Sequence, residues 1–167
     1  YDINKASSMK VTENITINYQ GILNTGFLRF IPVSNGVQIR NVQIGQITAK
    51  GIEKVYHKVY LSYNSLIFDI GDNQRKYGKT ESYSITYELR ILNRIIQKKN
   101  MLPLNVIGHE WNCKINNANV RLIVPSEFKE AQCYVGPYGT TKEYNKFNVI
   151  TKNKKKIISS KFDFLKE

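Results

Sequence analysis

The chain has 167 residues, 41% of them hydrophobic, and carries 25 Lys and Arg against 13 Asp and Glu, a formal net charge of +12. That is enough for one domain with its own core, and it excludes both disorder by composition and a small fold that needs metal or disulfide staples. Two cysteines make no disulfide framework, and no apolar run approaches the about 20 residues of a membrane-spanning helix.

The positive charge points to two partner classes, nucleic acid or an anionic membrane surface. Arg, the preferred reader of bases and phosphates, occurs only six times, and the one tight basic run is Lys152-Asn-Lys-Lys-Lys156. Ile, Lys and Asn are abundant while Ala and Arg are scarce, a skew that an AT-rich genome produces without functional demand. The reading is therefore a lysine-rich solvated surface and no nucleic-acid partner. The chain opens with Tyr1 rather than Met. A fragment or processed form is expected, with room for a signal peptide upstream and an anchor downstream.

In chain order, Val11 to Tyr19 alternates apolar and polar residues at period two, which predicts a half-buried strand. Glu13 interrupts its apolar side. Phe27 to Ile31 predicts a second strand, with Arg29 at its centre and Pro32 closing it. Asn35-Gly36 is a hairpin signal. Val37 to Ala49 alternates again but changes phase, which predicts a bulge or bend near Asn41. Strands follow at Val55 to Leu61, Ser65 to Ile70 and Thr80 to Leu89. Arg90 to Asn100 is ambiguous: Ile91, Leu92, Ile95 and Ile96 fall at helical spacing, so one short helix is allowed there.

Asn105 to Pro125 holds the only tryptophan, Trp111, after a glycine turn at Gly108. Trp111 reads as a core anchor, Asn116, Asn117 and Asn119 as a polar turn, and Val120 to Val124 as a strand. Ala131 to Val135, Tyr144 to Thr151 and Lys156 to Phe164 complete the strands. The sum is an all-β chain: a single antiparallel β-sandwich, immunoglobulin-like or jelly-roll-like, over residues 1–167, with at most one short helix near 90–100.

Several motifs in order resemble the domain of unknown function 2207, a family of bacterial predicted membrane proteins. They are Val11-Thr12-Glu13 with Ile15-Thr16; Arg29-Phe30-Ile31-Pro32; Ile70-Gly71-Asp72; Tyr83-Ser84-Ile85-Thr86-Tyr87; Asn105-Val106-Ile107-Gly108 with Trp111, Ile115, Val120 and Pro125; and Cys133-Tyr134-Val135-Gly136 leading to Gly139. The resemblance runs from about 11 to 139. It departs from the family at Leu104, where a tryptophan is common, and in lacking a second cysteine after Cys133. It implies an extracytoplasmic β-rich domain of a membrane-anchored protein, and it brings no catalytic residues to carry over. A Cys113–Cys133 bridge and two separate thiols remain the alternatives; a bridge would suit an oxidising compartment.

Each candidate for chemistry competes with a structural reading. Asp69 and Asp72 flank a turn but lack the density of a calcium loop, and Asp72 suits turn capping. His109 and Glu110 are adjacent and have no linked nucleophile. The serine pairs Ser7-Ser8 and Ser159-Ser160 lack a nucleophile-elbow context. Arg29 suits a salt bridge to Glu13 across neighbouring strands. The tyrosine groups Tyr56, Tyr60, Tyr63 and Tyr83, Tyr87 read first as core, and second as a sugar-stacking face. No catalytic or metal-binding residue and no cofactor is expected. The ligand-binding candidates are Arg29, Asp72, His109, Tyr83 and Tyr87. The expected function is a non-enzymatic interaction or sensing module on the extracytoplasmic side of the cell membrane, with a protein or envelope polymer as partner. A carbohydrate-binding or adhesin module is the alternative, and a hydrolase with an unrecognised site the third reading. The lysine run reads as a solvated hairpin end.

Overall fold

The computed structural model describes residues 2–3, 8–19, 25–33, 37–71, 80–91, 105–108, 111, 114–125, 130, 132–134, 143–144 and 146–165. Among them the protein is all-β and has no helix; the segment 92–100, where a short helix was allowed, lies outside the described residues. The strands are β1 (Asp2–Ile3), β2 (Ser8–Asn18), β3 (Phe27–Pro32), β4 (Val37–Thr48), β5 (Gly51–Lys54), β6 (His57–Ser62), β7 (Ser65–Ile70), β8 (Thr80–Ile91), β9 (Ile115–Pro125), β10 (Asn148–Lys152) and β11 (Lys155–Leu165).

Eight strands form one sheet in the order β10-β11-β9-β1-β2-β8-β4-β5, and three form a second in the order β3-β7-β6. All pairings are antiparallel except β1 with β9, which is parallel at Asp2↔Ile123. The division is more uneven than the immunoglobulin-like or jelly-roll-like arrangements expected from the sequence.

The period-two pattern sets the faces. On β2 the odd positions Met9, Val11, Ile15 and Ile17 turn inward, and the even positions Lys10, Thr12, Asn14 and Thr16 turn to solvent. Opposite them, β8 sends Tyr83, Ile85 and Tyr87 inward, and Thr12 and Thr16 meet Thr86 and Ser82 through hydroxyl hydrogen bonds on the outer face. The small sheet covers this region with Ile31 from β3 and Phe68 and Ile70 from β7. A tilted ring contact of Phe27 with Tyr83, centroids 5.0 Å apart, and an edge-on contact of Phe68 with Tyr87, 5.9 Å apart, join the two sheets. Each such side chain, taken fully out of water, contributes about 1.5–3 kcal/mol.

The phase change in β4 is a bulge. Register with β8 shifts between Arg40 and Gln43, and Asn41 adopts φ 53°. The extra residue moves the inward positions from Ile39 to Val42 and Ile44, so one strand stays apolar inward through both phases. At the mouth of the small sheet, Gly26 (φ +134°) and Gly71 (φ +125°) pass backbone to backbone. A Cβ on either would run into the other strand's main chain, and Gly71 N–H donates to the Tyr56 carbonyl at 2.9 Å.

Three expectations change. Asn116, Asn117 and Asn119 are not a turn but part of β9, at exposed positions beside β11. Asparagine is a turn residue by local chemistry, yet a long neighbouring strand supplies the ladder partners that hold it extended. The region Ala131 to Val135, expected as a strand, contributes only a bridge between Tyr134 and Glu143 among its described residues. The short strands β1 and β5 had no expected counterpart: two residues, or a Gly-led four, are too short for periodicity to register.

Candidate functional site

Four of the motifs that carry the resemblance converge. Glu13 sits on the inward side of β2, where an apolar residue belongs by pattern. Arg29 enters from β3 in the opposing sheet, and its Nε donates to Glu13 Oε2 at 2.8 Å while Nη2 donates to Oε1 at 3.1 Å. The side chains are 5% and 11% exposed. The expected Glu13–Arg29 salt bridge therefore forms, but through the core between two sheets rather than across neighbouring strands. β3 pairs with β7, so Arg29 reaches Glu13 face to face.

The remaining valences are filled locally. Tyr87 OH donates to Glu13 Oε1 at 2.8 Å, and Arg29 Nη1 donates to the Phe30 carbonyl at 2.7 Å. The guanidinium carbon lies 4.7 Å from the centre of the Trp111 ring, a cation–π contact. Trp111 Nε1 donates to the Ile107 carbonyl at 2.9 Å, and Gly108 N–H donates to Asn105 Oδ1 at 3.0 Å. Gly108 has φ +84°, and a Cβ there would stand 3.1 Å from Arg29 Nη1. So Gly108 lets the turn at Asn105–Gly108 and the Trp111 ring close over the guanidinium. Trp111 is half-buried and anchors to a cation, where the sequence suggested an anchor in the apolar core.

Among the described residues no buried side-chain nitrogen or oxygen lacks a hydrogen-bond partner, which is what allows a charge pair to sit inside a sandwich. The carboxylate of Glu13 accepts three hydrogen bonds and the guanidinium is engaged on every side. Chemically, the node fixes geometry: it pins β2, β3, β8 and the Trp111 turn to one another.

Tyr83 forms a second buried polar contact. It is fully buried, donates from its hydroxyl to Glu81 Oε2 at 2.6 Å, and lies 3.4 Å from the Tyr19 hydroxyl. Burial, reinforced by the Glu81 carboxylate, pushes its phenol far above the usual tyrosine range. Of the ligand-binding candidates, Arg29, Tyr83 and Tyr87 are thus all core residues. Asp72 and His109 lie outside the described residues, as does Glu110. Cys133 is a free thiol pushed up by burial; its proposed partner Cys113 lies outside the described residues. Among the described residues no group of His, Cys, Asp and Glu has the arrangement to hold a metal ion.

The surface offers what the core does not. On the side of the small sheet turned away from the large one, Phe30, Ile67 and Tyr60 line up across β3, β7 and β6, with Ile67 at the centre of the row buried. Tyr60 is 43% exposed, Leu28 beside this row 42%, and Tyr56, four positions before Tyr60 on the same side, 54%. Lys58 Nζ stands 5.9 Å over the Tyr56 ring, and Lys58 and Asp69 are neighbours in register. Tyr63, at the β6–β7 turn with φ 50°, is fully exposed. The tyrosines therefore divide: Tyr83 and Tyr87 build the core, while Tyr56, Tyr60 and Tyr63 stand at the surface. Period-two alternation alone did not separate these groups, because both alternate; only the covering sheet differs.

Among the described residues no helix is long and apolar enough to cross a membrane. No curated protein and no solved structure matches the chain. A family does: residues 1–160 match the N-terminal domain of a predicted membrane protein, DUF2207. That span contains Glu13, Arg29, Tyr87, Gly108 and Trp111, the residues whose contacts make the node. The chain belongs to the DUF2207 family of predicted membrane proteins, whose N-terminal domain it carries.

Proposed function

We propose that this domain is a non-enzymatic interaction or sensing module held on the extracytoplasmic side of a membrane by its parent protein. Its contact surface is the outer face of the small sheet, and its partner is a protein or an envelope polymer. The observation that carries the reading is the exposed apolar and aromatic set Leu28, Tyr56 and Tyr60 on one sheet face. Large apolar and aromatic side chains left exposed on one sheet face mark a binding surface. The buried node supports the same reading, since a rigid scaffold presents that face in one geometry.

Membrane sidedness is tested with Tyr63→Cys in the full-length protein, in a background where Cys113 and Cys133 are Ser. Intact cells are treated with a membrane-impermeant maleimide. Labelling before lysis is expected; labelling only after lysis overturns the extracytoplasmic reading. The contact surface is tested by cross-linking in intact cells from a photoreactive residue at position 60. Adducts that vanish when Leu28 and Tyr56 are changed to Ser support it.

A second reading has its own support. Tyr56 and Tyr60 on a flat face suit stacking against sugar rings, as a carbohydrate-binding module requires. Co-sedimentation with purified cell-wall polymer that falls in Tyr60→Ala would favour it over a protein partner.

A further inference from the structure

At the far end of the large sheet, β9, β11 and β10 form a wing whose outer face reads in rows. Arg121, Ser159 and Asn148 stand side by side, and Asn119 and Lys161 form the row before them. Arg121, Asn148, Ser159 and Lys161 line a shallow depression of about 350 Å³. The next row is Ile123, Ile157 and Ile150, with Ile150 58% exposed. Beyond it, Lys155 and Lys152 close the face at the hairpin end. Asn153 (φ 49°) and Lys154 (φ 57°) make the turn there, with the two left-handed residues of a tight hairpin. These four rows carry no acidic residue. The nearest acidic positions border them, Asp163 past Lys161 on β11 and Asp2 in register with Ile123.

A band of isoleucines between two cationic rows is the pattern of a surface that lies on a charged interface. The cations meet anionic headgroups and the isoleucines reach the apolar boundary beneath them. The chain belongs to a family of predicted membrane proteins, so a bilayer is at hand. We infer that the outer face of β9–β11–β10 docks on an anionic lipid bilayer, with Arg121, Lys161, Lys152 and Lys155 engaging phosphates and Ile150 entering the interface. The lysine run that reads in sequence as a solvated hairpin end is then one edge of a lipid-facing surface. This surface is separate from the outer face of the small sheet, and the inference stands without the function proposed for that face.

The test is co-sedimentation of the 167-residue chain with vesicles of phosphatidylcholine alone or mixed with phosphatidylglycerol. Binding only to the anionic vesicles is expected. The triple variant Arg121→Gln, Lys152→Gln, Lys155→Gln should bind them at least about tenfold more weakly. A control triple, Lys50→Gln, Lys54→Gln, Lys114→Gln, removes the same charge from exposed positions elsewhere and should stay within about twofold of the parent. Ile150→Ser should lose the part of the binding that survives high salt. Thermal unfolding of each variant establishes that it folds; should the first triple not fold, Lys152→Glu and Ile150→Ser, both at exposed positions of β10, give the same reading. Equal loss in the control triple assigns the attraction to net charge and overturns the inference. So does equal binding to neutral vesicles, or no binding at all. Release from vesicles by inorganic phosphate at constant ionic strength would instead assign the depression to a soluble anion, and also overturns the bilayer as occupant.

Discussion

Under the small sheet, β2 and β8 bury Val11, Tyr83 and Ile85 completely, whereas in the wing every residue of β10 is exposed. Both regions are regular antiparallel ladders of alternating β-branched residues. They differ in what lies across from them. β3 and β7 lay Ile31, Phe68 and Ile70 on the first; β10, at the sheet's edge, keeps Val149 and Ile150 at the surface. Regular strand pattern thus sets the faces, but a partner layer decides which faces become core. The same contrast separates two uses of charge. In the covered region a carboxylate and a guanidinium neutralise each other inside the protein, and in the wing the cations face outward.

The contrast can be broken most strongly at the node. Arg29→Ala leaves Glu13 buried without its counter-ion, and about 3–5 kcal/mol of stability should be lost in urea unfolding. The double variant Glu13→Leu, Arg29→Met should recover much of that loss; if it is as unstable as the single one, the pair holds the sheets together by more than charge balance. Next in size, Phe68→Ala should cost about 3–5 kcal/mol, while Val149→Ala in the wing should stay within about 0.5 kcal/mol. Comparable losses at both would mean that the wing is as tightly packed as the covered region.

Gly108→Ala forces a side chain into positive φ beside the Arg29 guanidinium, and a loss of about 1–3 kcal/mol is expected. Its signature is a changed Trp111 emission, because the turn carries that ring onto Arg29. The smallest effect concerns pH. The Tyr83 phenol is held protonated in the folded state well above the unfolded value of about 10. Above that pH the unfolded chain releases a proton that the folded chain keeps, so stability should be intact below about pH 10 and fall as pH rises beyond it. Tyr83→Phe should flatten this alkaline decline in the urea midpoint; an unchanged slope would place its origin at other residues.

Alternation in β-branched residues named most strands, and a single phase slip in Val37–Ala49 was enough to expect the bulge that Asn41 makes. Glu13 and Arg29 stood out as charges in apolar strand positions, and their pairing was foreseeable from opposite sign alone. The rest depended on distance in sequence. β9 reads as a turn at Asn116–Asn119 because short-range preference cannot register a strand more than forty residues away that holds it extended. Trp111 reads as a core residue because size and hydrophobicity say nothing of the cation it meets. The tyrosines look alike on β6 and β8, and the cover of a second sheet alone buries one group and leaves the other in solvent.

By itself, then, the sequence determined the all-β class, the strand faces, the bulge and the family. The first three depend on neighbours one to four residues apart, and the family on short motifs that follow one another in order along the chain. The tertiary structure decided which face became core, that the Glu13–Arg29 pair bridges two sheets, and that lysines from the hairpin join Arg121 and Lys161 on one surface. Each of these turns on residues far apart in the chain, brought together only when ladders pair and sheets stack.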